Sequence, residues 1–236
     1  RSLSEALRSS FLVLRWIMFA LLAAYACSGW FKVESGSVAV RLRFGALQGE
    51  AGREVLDPGG PYFALPEPLD EVLHISTAPR KVVLDKAFWF AVPEGQELTS
   101  LDDLPVPPSG LVPGRDGSLL TADGNIVHAR WEVAYRVEKA NAVEFARCAS
   151  AGRNQKELIR FADRLAGTAA EQGIVHLAAQ TTADDFVRAD VNRAVAQRKI
   201  QEILDDLRAG ITVTQVLINQ PTSPLATRQA FKAVSQ

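Results

Sequence analysis

Residues 11–31 read FLVLRWIMFALLAAYACSGWF, with Arg15 as the only charged side chain. A helix that is apolar on every side has no polar face to turn to water, so lipid is its natural surrounding. At roughly 1.5 Å per residue these residues make a helix about 31 Å long, matching the roughly 30 Å hydrocarbon core of a bilayer. The sequence therefore predicts one transmembrane helix over 11–31, preceded by a short flank at 1–10. Arg15 sits close enough to the start for its long side chain to snorkel to the headgroups. Trp16 and Trp30 mark the two ends, where amphipathic rings prefer to lie, and Phe31 follows at once. Trp16, Trp30 and Phe31 are thus the expected membrane-anchoring residues. A buried core helix and a cleaved signal peptide are the rival readings, and Ala26-Cys27 offers a weak lipoprotein-like alternative.

Flanking charge sets the orientation. Arg1 and Arg8 precede the span and Arg15 lies near its start, against Glu5 alone, whereas Lys32 after it is offset by Glu34. The positive-inside tendency then leaves the N-terminus in the cytoplasm and the bulk of the chain outside it.

The period changes abruptly after the span. Val38, Val40, Leu42 and Phe44 share one face of a half-buried strand that ends at Gly45. Residues 57–68, DPGGPYFALPEP, read as turn and extended chain, and 71–84 as another extended stretch. Residues 91–118 hold Pro93, Pro105, Pro107, Pro108 and Pro113 and read as an exposed excursion. Asp123-Gly124 is a turn signal. Beyond it Val127, Ala129, Trp131, Val133, Tyr135 and Val137 alternate with His128, Arg130, Glu132 and Arg136, predicting a strand with one buried and one wet face. Helices are expected at 142–150 and 154–171, then a longer one capped by Thr182 and Asp185 and ending at Gly210. Residues 210–220 return to strand, and 221–236 look like the start of a helix leading into a coiled coil.

Composition narrows the function classes. A chain of 236 residues, 47% hydrophobic and 22% charged, fits folded protein, and its net charge of −1 gives no basic field for nucleic acid. An opening Arg in place of Met is expected of a fragment or processed chain. Cys27 lies in the apolar run, so a disulfide to Cys148 is not expected. His74, His128 and His176 are too widely spaced for a metal-binding motif, and surface or packing roles are expected of them. Asp102-Asp103, Asp184-Asp185 and Asp205-Asp206 read as loop, helix-start and helix-surface acids. No nucleophile elbow, Walker loop or dinucleotide-binding glycine pattern is present, so neither a catalytic residue nor a cofactor is assigned. The charges on the last long helix, among them Arg188, Arg198, Glu202, Asp205 and Asp206, leave two readings open. They form either a solvated face or complementary packing against a neighbouring protomer.

Taken in order, VESGSVAVRLRFG, DPGGPYFALPEPLDEVLHI, LLTADGNIVHARWEVAYRV and GITVTQVLINQPTSPLATRQAFKAV resemble the stomatin/prohibitin/flotillin/HflK-HflC (SPFH) superfamily. The tail, with Pro before AFKAV, looks most like the HflK branch of bacterial protease modulators. The resemblance implies an α+β fold: an SPFH domain of two sub-modules after a single N-terminal transmembrane helix. It places a β-rich membrane-proximal sub-module at 32–138, an α/β sub-module at 139–220 and the truncated coiled-coil helix at 221–236. It also implies a non-enzymatic scaffold in the bacterial inner membrane, its SPFH domain on the periplasmic side. Such a scaffold forms large rings or cages with itself or an HflC-like paralogue and modulates a membrane AAA protease of the FtsH type. The alternatives are a membrane-anchored hydrolase and a lipid-anchored extracytoplasmic binding module.

Overall fold

The apolar run folds as helix α1, Ser2–Cys27, in a computed structural model that describes residues 2–47, 54–92, 111–112, 116–149, 154–224 and 227, without the side chains of 2–7, 9 and 189–191. Its stretch Ser10–Cys27 is long and apolar enough to cross a membrane, and none of its residues is buried in the protein. The helix stops four residues short of the predicted span. Trp30 and Phe31, expected at its end, instead open the first strand. Ser28 caps the helix, its hydroxyl donating to Tyr25 O at 2.7 Å.

Strands β1 (Trp30–Val33), β2 (Ser37–Arg43), β3 (Ala46–Leu47), β4 (Val55–Leu56), β5 (Gly59–Phe63), β6 (Asp70–Ser76), β7 (Arg80–Leu84), β8 (Leu119–Leu120) and β9 (Ile126–Arg136) follow. Helices α2 (Ala142–Ala149), α3 (Gln155–Ala178), α4 (Ala183–Val187) and α5 (Ala189–Asp206) come next, then β10 (Thr212–Thr222). β1 and β5 form an antiparallel ribbon. β2 is the centre of one sheet, flanked by β6 on one side and by β3 and β4 on the other. β9 is the centre of a second, between β10 and β7, with β8 beside its first residues. The stretch at 71–84 therefore divides between two sheets. It bends at Thr77, whose N–H and hydroxyl both donate to Gly36 O.

α3 lies over β7 and β9, and α5 over β10. The alanine-rich face of α3, with Ala162, Ala166, Ala169 and Ala170 all buried, lets it sit close to the strands. Gly173 allows the α3–α5 crossing, because a Cβ there would stand 2.8 Å from Ile200 Cγ1. Asp163 of α3 accepts from Tyr135 Oη at 2.6 Å and from both Nε and Nη2 of Arg80, tying the helix to β7 and β9. Glutamines of α5 cover part of the open edge of β10: Gln201 accepts from Val213 N at 2.8 Å and donates to Ile211 O at 3.1 Å. Such cover blocks edge-to-edge pairing.

Several details depart from the sequence reading. Phe44, expected on the buried face of β2, is 75% exposed at φ 50° in the β2–β3 turn, beside Gly45 at φ 78°. His128, expected on a wet face, is fully buried because residues 88–90 cover that end of β9. Ala129 N donates to Phe88 O, His128 Nδ1 donates to Gly117 O at 2.8 Å, and Phe90 stands edge-on to the imidazole. Burial holds the imidazole below its ordinary pKa. The neck of the Pro-rich excursion is closed by Asp116, which accepts from Ala91 N and Val112 N at 2.8 Å. Residues 93–110 and 113–115 of that excursion, with Asp102-Asp103, lie outside the described residues, as do 225, 226 and 228–236 of the expected helix over 221–236, whose first two residues, Pro221 and Thr222, instead end β10.

The remaining departures concern helix ends. α3 runs past its expected end at 171 and on to Ala178, because Gly173 packs against Ile200 and does not break the helix. Thr182 is an N-cap as expected, accepting from Asp185 N, but the helix breaks at Arg188 (ψ 72°) into α4 and α5. The buried Asn192 explains how the break is tolerated: its Nδ2 donates to Asp185 O at 2.8 Å and Phe186 O at 3.3 Å. Phe186 can then point inward against Trp131. α5 ends at Asp206, before Gly210, in a Schellman motif with Arg208 at φ 48°. Arg208 N bonds to Asp205 O and Ala209 N to Leu204 O, both at 2.9 Å. Asn192→Ala strands carbonyls in the core and is expected to lower unfolding free energy by about 1–3 kcal/mol. Denaturant melts of the detergent-solubilised chain check this, and an unchanged midpoint would show that water replaces the amide.

Candidate membrane-facing site

Only Ser28 and Gly29 separate α1 from β1, and both are fixed. Ala64 N donates to Gly29 O at 2.9 Å, so the helix end is pinned to the residue that follows β5. Gly29 must lack a side chain, because a Cβ there would collide with Ala64 O. Tyr25, on the last turn of α1, donates its hydroxyl to Glu67 O at 2.7 Å. The apolar helix and the β1–β5 ribbon are thereby joined at three points: the chain itself, Gly29–Ala64 and Tyr25–Glu67.

Strand alternation then sorts the ribbon's aromatics by face. Trp30 pairs with Phe63 across the ribbon, their rings 5.6 Å apart, and they are 60% and 43% exposed. Phe31 and Tyr62 pair on the other face with rings 5.8 Å apart, and Phe31 also stands edge-on to His74 at 5.9 Å. Of the anchoring residues read from the sequence, Trp16 is exposed on α1, Trp30 is exposed on the ribbon, and Phe31 is half-buried between ribbon and β6. The structure brings Trp30 and Phe31 together on one strand, with opposite facings. The sequence reading missed Phe63, Leu65 and Phe44. Each belongs to or borders the return from β5 to β6, and Phe44 N donates to Leu69 O in that loop. The signal available was FALPEPL, an apolar loop held extended by prolines beside the predicted strand.

Asp70 holds this loop. Its carboxylate is nearly inaccessible, receives Nε and Nη2 of Arg43 at 2.7 and 3.1 Å, and accepts from Leu65 N at 2.9 Å. Arg41 Nη1 donates to Phe63 O at 3.1 Å, so two arginines of β2 brace the ribbon. The Arg43 hydrogen bonds, assisted by the Leu65 N–H, hold the Asp70 carboxyl below its ordinary pKa.

Sites that chemistry would need are dispersed. His74, His128 and His176 stand on β6, β9 and α3, and Cys27 and Cys148 on α1 and α2. Among the described residues no group of three His, Cys, Asp or Glu is placed to share a metal ion. Asp123 is held down at about 2, chiefly by the Thr121 hydroxyl and then by Asn125. Its carboxylate also receives Ala183 N, which clamps the β8–β9 turn onto the start of α4. That is a structural bond network at the expected Asp-Gly turn.

The profile of the SPFH domain / Band 7 family matches residues 31–236, beginning at the strand that follows the apolar helix. The chain belongs to the SPFH family. Comparison with curated proteins gives no match. SPFH proteins are generally membrane-associated, non-enzymatic scaffolds, and here a mixed helix and sheet domain of this family follows a candidate membrane span. The SPFH match starts only four residues past Cys27, so domain and span share the junction described above.

Because Asp70 has a lowered pKa in the folded state, its stabilisation is fully present above the ordinary value of 3.8 and is lost as pH falls through the lower folded value. Asp70→Asn is expected to lower the thermal midpoint at neutral pH and to flatten the midpoint's fall in the acid range. Parallel melts across that range check it, and identical acid slopes for the two chains would refute the assignment.

Proposed function

We propose that this SPFH protein is a non-enzymatic membrane scaffold of the HflK type. It is held in a bacterial inner membrane by α1, with its N-terminus cytoplasmic and the SPFH domain on the periplasmic side. The observation that carries the reading is the short, hydrogen-bonded junction between a lipid-compatible helix and an SPFH domain. A domain held this way has little freedom to tumble. Confinement to a plane raises its local concentration, which favours assembly with copies of itself or with an HflC-like paralogue. The resemblance of the tail to the HflK branch supports a ring or cage that limits access to a membrane AAA protease of the FtsH type. Trp16 and Trp30 anchor the two ends of the span, and Phe31 backs the ribbon from which Trp30 and Phe63 meet the headgroups.

Two outcomes are expected. In bilayers carrying brominated lipids, the fluorescence that Trp30→Phe removes is strongly quenched; a Trp30 component insensitive to the bromines would take the ribbon off the membrane. Extraction of the membrane-bound chain in mild detergent yields a many-subunit assembly, with an SPFH paralogue and a membrane protease among its co-purifying proteins. Recovery as monomers and dimers alone would end the scaffold reading, and an assembly without a protease would end the protease-modulating part of it.

A further inference from the structure

We infer that successive copies of this chain meet through a basic stripe on α3 and the acidic end of α5. The inference rests on the scaffold reading and names the surface through which the scaffold is built.

Lys156, Arg160 and Arg164 recur every fourth residue along α3 and are exposed, so they share one face of the helix. None has a hydrogen bond or ion pair to a described residue. Arg160 and Arg164 line a concavity of about 620 Å³ with Glu157 and Asp163, and Asp163 is already taken by Arg80 and Tyr135. Like charges at this spacing repel, and of the two acids beside them Asp163 is already engaged by Arg80 and Tyr135, leaving Glu157 against three cations.

α5 presents the opposite sign. Glu202, Asp205 and Asp206 are exposed at its C-terminal end, and its last turn holds no basic residue. Acids there face the negative end of the helix dipole, an unfavourable placement. Asp205 accepts from Gln201 Nε2 at 2.7 Å, but none of the three acids has an ion pair to a described residue, so each patch can pair with the other.

The fold places them to meet. Gly210, just past α5, abuts Asn141 and Phe145 of the segment entering α2, where a Cβ would stand 2.5 Å from Asn141 O. Phe145 in turn packs against Phe161 of α3, with ring centroids 6.2 Å apart. The Arg160–Arg164 turn therefore lies at the same end of the helix layer as the end of α5. The two patches also lie toward opposite flanks, since α3 is tied to the β7 edge through Arg80 and α5 covers β10 at the other edge. Complementary patches at one end of the helix layer and on opposite flanks make a head-to-tail contact, the kind that closes rings.

The test uses two tagged copies expressed together in membranes. One carries Arg160→Lys and Arg164→Lys with Glu202→Gln, Asp205→Asn and Asp206→Asn; the other keeps the native residues. A carbodiimide joins amines to carboxylates but not guanidinium groups. A bond from position 160 or 164 to position 202, 205 or 206 can then form only between chains, and peptide mass spectrometry is expected to find it. Arg160→Glu with Arg164→Glu is expected to cut the large assembly on the order of tenfold in mild detergent. Adding Asp205→Arg and Asp206→Arg to the same chain is expected to restore it, which also excludes misfolding as the cause. A large wild-type assembly that lacks this bond and ignores the reversal would overturn the interface and leave the scaffold standing. A wild-type chain that never assembles would overturn both. Bonds from positions 160 and 164 to another protein alone would assign the stripe to that partner and end the copy-to-copy contact.

Discussion

The bond from Ala64 N to Gly29 O governs this molecule, because it fixes where an apolar helix ends and a folded domain begins. A helix like α1 has its backbone groups satisfied internally and its side chains suited to lipid, so it places no demand on the domain. Without a second attachment, two residues of linker would act as a swivel. The Ala64 and Tyr25 bonds turn the linker into a joint, and the bare Cα of Gly29 is what lets Ala64 approach. The ribbon, the loop that Asp70 and Arg43 hold, and the exposed Trp30 and Phe63 are all oriented from this joint.

Elsewhere the chain meets a recurring problem, backbone polar groups freed where regular structure stops, with side-chain amides and carboxylates. Asn192 serves the carbonyls at the α4–α5 break, Gln201 the edge of β10, Asp116 the two sides of the excursion's neck, and Asp123 the start of α4. Each joins segments distant in sequence or different in type, so these bonds act as fasteners between elements. Apolar packing supplies the bulk of the attraction, with Trp131, Tyr135, Phe145 and Phe186 fully buried. The fasteners select which packing is reached.

The helical layer is asymmetric in charge as well as in position. α3 is sewn to β7 and β9 by a buried tyrosine and a shared aspartate, whereas α5 is sewn to β10 by glutamines. The flanks therefore differ in chemistry, with guanidinium groups on one and carboxylates at the end of the other.

The sequence by itself determined what local periodicity and local chemistry can determine. It established the apolar helix, the alternation through Val133 and Tyr135, the Asp123-Gly124 turn, the Thr182 cap and membership of the SPFH family. Most of the element types were legible for that reason. What covers a given face was not. His128 alternates as a solvent-facing residue should, yet residues 88–90, remote from it in sequence, lie over it. Phe44 continues an apolar face, yet the turn it opens carries it outside. The candidate site was half legible: Trp16 and Trp30 follow from the hydropathy pattern. Phe31 takes the inner face of the ribbon because strand pairing with Tyr62 assigns it there, and Phe63 joins Trp30 through the same register. Periodicity reports which residues share a face; only tertiary structure, through contacts between segments far apart in the chain, decides what that face meets.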